Sequence, residues 1–224
     1  INWNDKVTNL QEIAQELNIG LDSMVFFDDD IINRDFVRST LPEVLTVEMP
    51  KDPSLYVTTL LGLNDFNVTK LTEEDKQRGK MYVDQRKRTE FQKTTTDFKE
   101  YLKQLDIKVF IKNANEFTIP RISQLTLKTN QFNLTTKRYQ EEDIRKFVSD
   151  DNKIVECAQI KDKFGDNGIT GVYIVNKENK QEWLIDTFLL SCRVMGRGIE
   201  EALLGQIIER AKMEGIKKVK AQYI

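Results

Sequence analysis

Apolar and polar positions along this chain follow two spacings, one of about three and a half residues and one of two. Leu10, Ile13, Ala14 and Leu17 recur at helical spacing, which predicts a helix over 9–17 with Asn18-Ile19-Gly20 as its stop. Ser23-Met24-Val25-Phe26-Phe27 is a continuous apolar run, the pattern of a parallel strand buried on both faces. From Thr72 to about Leu105 the periodicity continues as helices with heavy surface charge, opened by Thr72-Glu73-Glu74-Asp75, a capping box with Asp75 in place of the usual glutamate. Thr94-Thr95-Thr96 offers an N-cap for a helix over 97–105, whose apolar stripe is Phe98, Tyr101, Leu102 and Leu105. Ile107 to Lys112 alternates as a strand. Two helices follow, 119–129 presenting Ile122, Leu125 and Thr126, and 141–148 presenting Ile144, Phe147 and Val148. Strands are predicted at 153–160, 168–175 and 182–190, then a glycine turn, a helix carrying Ile199, Ala202, Leu203, Gln206, Ile207 and Arg210 on one side, and a strand at 217–223. No internal repeat interrupts this order.

A length of 224 residues leaves room for two modest units, each with its own core. With 34 basic against 36 acidic residues the net charge is −2, so no global field points to nucleic acid or an anionic membrane. The basic run from Asp75 to Arg88 alternates with acids and has no aromatic platform, which again excludes a nucleic-acid reading and leaves a connecting helical pair. No apolar run approaches the roughly twenty residues of a membrane helix, and no signal peptide is visible. Cys157 and Cys192 lie in separate apolar settings without metal-ligand spacing, which suits a reducing cytoplasm. The absence of histidine removes Ser-His-Asp and Cys-His systems, so any chemistry within the chain must use carboxylates, lysines, tyrosines or thiols. The sequence begins at Ile1 without methionine and ends just after a predicted strand, and it reads as a fragment at both ends.

Two stretches carry candidate chemistry. Cys192-Arg193-Val194-Met195-Gly196-Arg197-Gly198 lies between an apolar strand and a helix that opens near Ile199, where glycines permit close backbone approach and free N–H groups face an anion. This suits the phosphate of an acyl-CoA or phosphopantetheine arm. A turn that only connects strand to helix is the alternative. Cys192, beside Arg193 and the helix start, is a candidate nucleophile, although cysteine is more often a small buried hydrophobe. Asp186, inside its strand, is a candidate general base. The second stretch is Asp28-Asp29-Asp30 at the carboxyl end of the apolar run, where open α/β sheets hold ligands. Adjacent carboxylates repel unless a cation sits among them, and hard oxygen donors point to Mg²⁺; an acidic turn capping the next helix is the other reading.

Arg193 to Gly198, with the strand meander before it and the helix after it, resembles motif A of the GNAT acyltransferases. Asn2-Trp3-Asn4-Asp5-Lys6 and Val25-Phe26-Phe27-Asp28-Asp29-Asp30 with Arg34 resemble the third and fourth motifs of HAD phosphohydrolases, in the form found in FkbH-type proteins, which join a HAD domain to a GNAT-like one. The resemblance continues through Leu41-Pro42-Glu43-Val44, Asp52-Pro53-Ser54-Leu55-Tyr56, Leu71-Thr72-Glu73-Glu74-Asp75 and, most specifically, Lys128-Thr129-Asn130-Gln131-Phe132-Asn133-Leu134-Thr135-Thr136. Asp30 stands where the family form usually has asparagine.

The fold this implies is α/β: the C-terminal part of a HAD-like Rossmannoid parallel sheet over 1–56, a helical linker over 57–106, and a GNAT-like mixed, mainly antiparallel sheet with flanking helices over 107–224. The resemblance further implies that Lys6 neutralises a phosphoryl group, that Asp28 and Asp29 hold Mg²⁺, and that Arg193, Val194, Met195, Gly196, Arg197, Gly198 and Ile199 seat phosphopantetheine or coenzyme A. Asn130, Gln131, Phe132 and Asn133 would border the acyl end. The implied activity is the loading of a phosphorylated three-carbon acid, such as the glyceryl group of 1,3-bisphosphoglycerate, onto an acyl carrier protein in a polyketide-type pathway. Arg86, Lys87 and Arg88 offer a docking patch for an acidic carrier. The family's first motif, Asp-x-Asp-x-Thr with its nucleophilic aspartate, occurs nowhere in these residues. An acyl-CoA N-acyltransferase and a non-catalytic carrier-docking module are the rival expectations.

Overall fold

A computed structural model describes residues 2–17, 19–67 and 73–223. The expected helix stop at Asn18 and the Thr72 cap lie outside the described residues. The chain divides into two compact units, residues 1–71 and 72–224.

In the first unit, helix α1 (Lys6–Leu17) is followed by strand β1 (Val25–Phe26), helix α2 (Ile31–Thr40), strand β2 (Leu45–Thr46) and the short helix α3 (Tyr56–Leu61). The apolar run forms a strand parallel to its neighbour, with Val25 opposite Leu45 and Phe26 opposite Thr46. This is a two-stranded pair, where the HAD resemblance implies a larger parallel sheet. Val7, Leu10, Phe26, Val37, Leu41 and Val44 form its core, and Phe26 is buried while Val25 stays partly exposed, so burial on both faces is only half realised. Gly20 has a φ of −72°, an ordinary extended conformation, in place of the left-handed helix stop expected there.

The second unit opens with α4 (Glu73–Lys76), α5 (Arg78–Thr94) and α6 (Phe98–Leu105). Strand β3 (Lys108–Asn113), helices α7 (Ile119–Lys128) and α8 (Glu141–Val148), strands β4 (Lys153–Asp162), β5 (Gly165–Lys177) and β6 (Glu182–Leu190), helix α9 (Ile199–Met213) and strand β7 (Lys218–Ala221) follow. The five strands pair in the order β3-β4-β5-β6-β7, antiparallel except for β6 with β7, which are parallel and joined through α9. A parallel neighbour needs such a crossover, whereas β4, β5 and β6 follow one another as hairpins and β3 reaches β4 through α7 and α8.

Each face of the sheet carries one apolar cluster. Ile154, Tyr173, Trp183, Ile185, Phe188 and Leu190 pack against Ile199, Leu203, Ile207 and Ala211 of α9. Val155, Cys157, Val172, Ile174 and Leu189 pack against Ile119, Ile122 and Leu125 of α7 and Ile144 of α8. Full burial of each such side chain contributes roughly 1.5–3 kcal/mol. Ala202 and Val148, expected on buried stripes, are exposed. The cap of α6 is Asp97, which accepts from Lys99 N at 2.9 Å, and not the threonine run before it.

Helix α5 departs most from its pattern. Met81, Asp84 and Arg88 are buried on one face, and Phe91 packs on Tyr101 and Phe164. The helix read as a solvated connector therefore packs into the second unit. Arg88 is interior, not part of a docking patch: its Nε and Nη2 reach Asp162 Oδ2 and Oδ1 at 2.6 and 2.9 Å, and both side chains are almost fully buried.

Candidate functional site

Strand β6 changes partner halfway along. Its register with β7 runs from Glu182 opposite Lys218 to Ile185 opposite Ala221 and stops there. At the same point its register with β5 shifts: Ile174 faces Thr187 and Val175 faces Ile185, so Asp186 is the extra residue of a β-bulge. Beyond the bulge the outer edge of β6 is taken by the loop between α7 and α8. Asn133 bridges Leu189, Leu134 N donates to Phe188 O and Leu190 N to Phe132 O, both at 3.0 Å. Asp186 and Thr187 are left between the two partners.

At the end of β6, Ser191 N donates to Thr170 O at 2.7 Å and Cys192–Val194 makes a tight 3-10 turn. Gly196 and Gly198 then take φ values of +71° and +77°, the left-handed region that a side chain strains, and α9 begins at Ile199. Gly198 is the N-cap residue and no side chain caps that end of the helix from it. Two features differ from a turn that grips phosphate with its arginines. Arg193 Nη1 meets Met81 Sδ at 2.8 Å, and Arg197 Nη2 donates to Gln85 Oε1 at 3.2 Å with its Nη1 3.8 Å from Asp162, so both side chains turn toward α5. Burial pushes the Arg197 guanidinium below its ordinary pKa. What remains for a phosphate is the backbone. Cys192 is half-buried beside this turn, Cys157 is buried, and the two form no disulfide.

Strand, two helices, three antiparallel strands, a glycine turn, a crossover helix and a parallel strand that stays paired for only half its neighbour's length are all now in place. The second unit has a GNAT-like fold. Solved structures with a similar chain course include an IAA acetyltransferase of Bacillus cereus (19% identity, TM-score 0.36, covering 51% of this chain and 65% of that one). A ribosomal-protein-alanine N-acetyltransferase of Brucella melitensis biovar Abortus is 16% identical, with a TM-score of 0.41, covering 51% of this chain and 79% of that one. A GNAT family acetyltransferase of Elizabethkingia anophelis with acetyl-CoA bound is 19% identical, with a TM-score of 0.36 and coverage of 50% and 63%. At such scores nothing about ligand or substrate passes from those proteins to this one. No protein-family model and no curated protein matches the chain.

The bulge of the GNAT-like unit is wrapped by the segment that follows α7. Thr135 Oγ1 donates to Asp186 O at 2.8 Å, Lys137 Nζ to Asp186 Oδ1 at 2.5 Å, and Tyr139 OH and Thr187 Oγ1 to Asp186 Oδ2 at 2.7 and 3.0 Å. Burial alone would raise the Asp186 pKa, but Lys137 and Tyr139 outweigh it and hold the carboxylate below its ordinary range. Burial, and then the Asp186 carboxylate, push the Tyr139 phenol far up. An acid so well supplied with donors is a poor base; it anchors the segment. Within that segment Asn133 is buried, donating to Thr129 O and accepting from Thr136 N at 3.1 Å, and Phe132 packs on Phe188 with ring centroids 5.8 Å apart. Asn130 accepts from Arg138.

The acidic stretch of the first unit resolves into three separate roles. Asp28 accepts from Asp30 N at 2.9 Å and lies 3.4 Å from Lys6 Nζ; burial acts against its charge, yet these donors together with Asn33 keep its pKa low. Asp30 caps α2 by accepting from Ile32 N, and Asp29 is exposed. Buried Arg34 ties the turn together, donating to Asp28 O and Asp29 O at 2.8 and 2.9 Å. Lys6 and Asp28 thus meet. Among the described residues no group of three acids or thiols is placed to hold a metal ion, so Asp28 and Asp29 alone would hold a Mg²⁺ here, with its other oxygens from water and phosphate.

Lys137, Tyr139 and Arg88 were not singled out for these roles in the sequence. The signal was an aspartate inside an otherwise apolar strand, which needs partners from elsewhere in the chain.

Proposed function

We propose that the second unit seats the thioester arm of an acyl group carrier, with its phosphate at the Met195–Ile199 turn and its thioester end toward Asp186 and Thr187. One observation carries this reading: β6 parts from β7 at Ile185, bulges at Asp186 and runs directly into a positive-φ glycine turn at the head of α9. Backbone N–H groups at such a helix start favour a phosphate, and β6 parts from β7 just before it reaches that turn. The resemblance to FkbH-type proteins supports a phosphopantetheine arm on an acyl carrier protein over free coenzyme A. The reaction would then be attack of the carrier thiol on an acyl phosphate such as 1,3-bisphosphoglycerate, forming a thioester and releasing phosphate. Lys6, Asp28 and Asp29 belong to the phosphate half of that scheme and Cys192 to the thiol half. The aspartyl nucleophile of a HAD-type phosphoryl transfer is not among these residues, and no step here runs through a metal.

Titration calorimetry with a holo acyl carrier protein, its apo form and acetyl-CoA tests the reading. Binding of the holo form at least tenfold tighter than the apo form is the expected result, since only the holo form carries the arm. Equal binding of both carrier forms would reduce the unit to a docking module. Tightest binding of acetyl-CoA would favour an N-acyltransferase.

A further inference from the structure

Resting on that reading, the geometry points to Glu200, supported by Glu201, as a specificity-determining residue that turns away the diphosphate of free coenzyme A and leaves the turn open to an arm of lower charge. Gly196 N, one of the backbone donors of the turn, is already bound by Glu200 Oε1 at 2.6 Å. Glu201 Oε2 lies 3.9 Å from where a side-chain carbon on Gly198 would stand, so a second carboxylate borders the same turn. Arg193 reaches Met81 and Ser191, and Arg197 reaches Gln85 and the Asp162–Arg88 pair; Arg197 still lies near enough to Glu200 to offset part of its charge. The turn thus combines a backbone suited to phosphate with side-chain carboxylates that repel it.

Repulsion grows with the ligand's charge. Coenzyme A brings a diphosphate and a further ribose phosphate, whereas a phosphopantetheine arm on a carrier brings one phosphodiester. Glu200 holds the donor by a hydrogen bond, so a singly charged phosphate displaces it at less electrostatic cost than a diphosphate.

The test measures affinity for coenzyme A, the methyl ester of 4′-phosphopantetheine, which like the carrier-bound arm is a phosphodiester with one charge, and uncharged pantetheine in the unaltered chain, Glu200→Gln and Glu200→Ala, with circular dichroism showing that each is folded. Glu200→Gln keeps an oxygen for Gly196 N and removes only the charge; Glu200→Ala frees the donor as well. Coenzyme A should tighten roughly tenfold in Glu200→Gln and further in Glu200→Ala, the methyl ester by about threefold or less, and pantetheine not at all. Unchanged coenzyme A affinity in both variants, or equal gains for all three ligands, overturns the assignment while leaving the proposed arm site standing. If none of the three ligands binds any form, the arm site falls and the role of Glu200 falls with it.

Discussion

Arg88→Met lowers the stability of the second unit by about 3–5 kcal/mol in urea unfolding, because it strands the Asp162 carboxylate in the interior. Arg197, 3.8 Å away, softens the loss, which places the result toward the lower end of that range. Asp162→Asn is also destabilising, since it leaves the Arg88 and Arg197 guanidiniums together without a counter-charge. A loss below about 1 kcal/mol for Arg88→Met would mean that α5 is not held to the β4–β5 hairpin by this pair. The pH dependence has a definite sign. Burial would raise the Asp162 pKa, yet Arg88 and the N–H groups of Phe164 and Gly165 hold it below its ordinary 3.8. A depressed carboxylate contributes stability that is complete above the unfolded value and is lost as pH falls through the folded one. Acid unfolding of the unaltered chain therefore steepens below 3.8, and in Arg88→Met that limb flattens because the main cause of the depression is gone.

Asp186→Ala should have the next largest effect. It removes the acceptor for Lys137, Tyr139 and Thr187 at once, and losing hydrogen bonds to a charged, buried acceptor costs about 2–3 kcal/mol. The local consequence is more telling than the global one. Segment 132–139 is pinned to β6 at the bulge, so amide exchange at Leu134 and Leu190 should quicken by more than the overall loss of stability accounts for. Asp186→Asn, which keeps an oxygen for Tyr139, should fall between the two. Exchange at Leu134 and Leu190 that tracks global unfolding in Asp186→Ala would show that the backbone bridge holds the segment without the carboxylate.

Much of the second unit was legible because its strands and helices obey simple periods. Strand β6 spans the range its apolar run predicts, and Ile122, Leu125, Thr126 and Ile144 lie on helices α7 and α8 where the spacing puts them. The glycine turn was legible too, since Gly196 and Gly198 take the backbone conformation that only glycine adopts freely. Side-chain direction was not. Nothing in the string Arg193 to Gly198 shows that both arginines bend toward a helix about a hundred positions earlier in the chain, or that Glu200 folds back onto Gly196. Helix α5 misled for a related reason: its buried face is Met81, Asp84, Arg88 and Phe91, and a face half made of charged residues looks solvated until its partners are known. In the first unit the three aspartates look alike in sequence, but one pairs with a lysine, one caps a helix and one faces solvent, which is a matter of rotamer and neighbour.

The bulge at Asp186 also bears on how this chain can change length. Trp183 and Ile185 face α9, and so do Phe188 and Leu190; the step of three between Ile185 and Phe188 is absorbed by one unpaired residue. Deleting that residue would restore a regular strand and leave Phe188, Leu189 and Leu190 on the faces they hold now, because the step from Ile185 to Phe188 becomes two. The bulge thus lets β6 lose one residue beside Asp186 without a change of face, whereas one residue added there would exchange the faces of Phe188, Leu189 and Leu190. Length variants of this protein should therefore cluster in exposed connections such as 178–180, and no added residue should fall between Ile185 and Leu190.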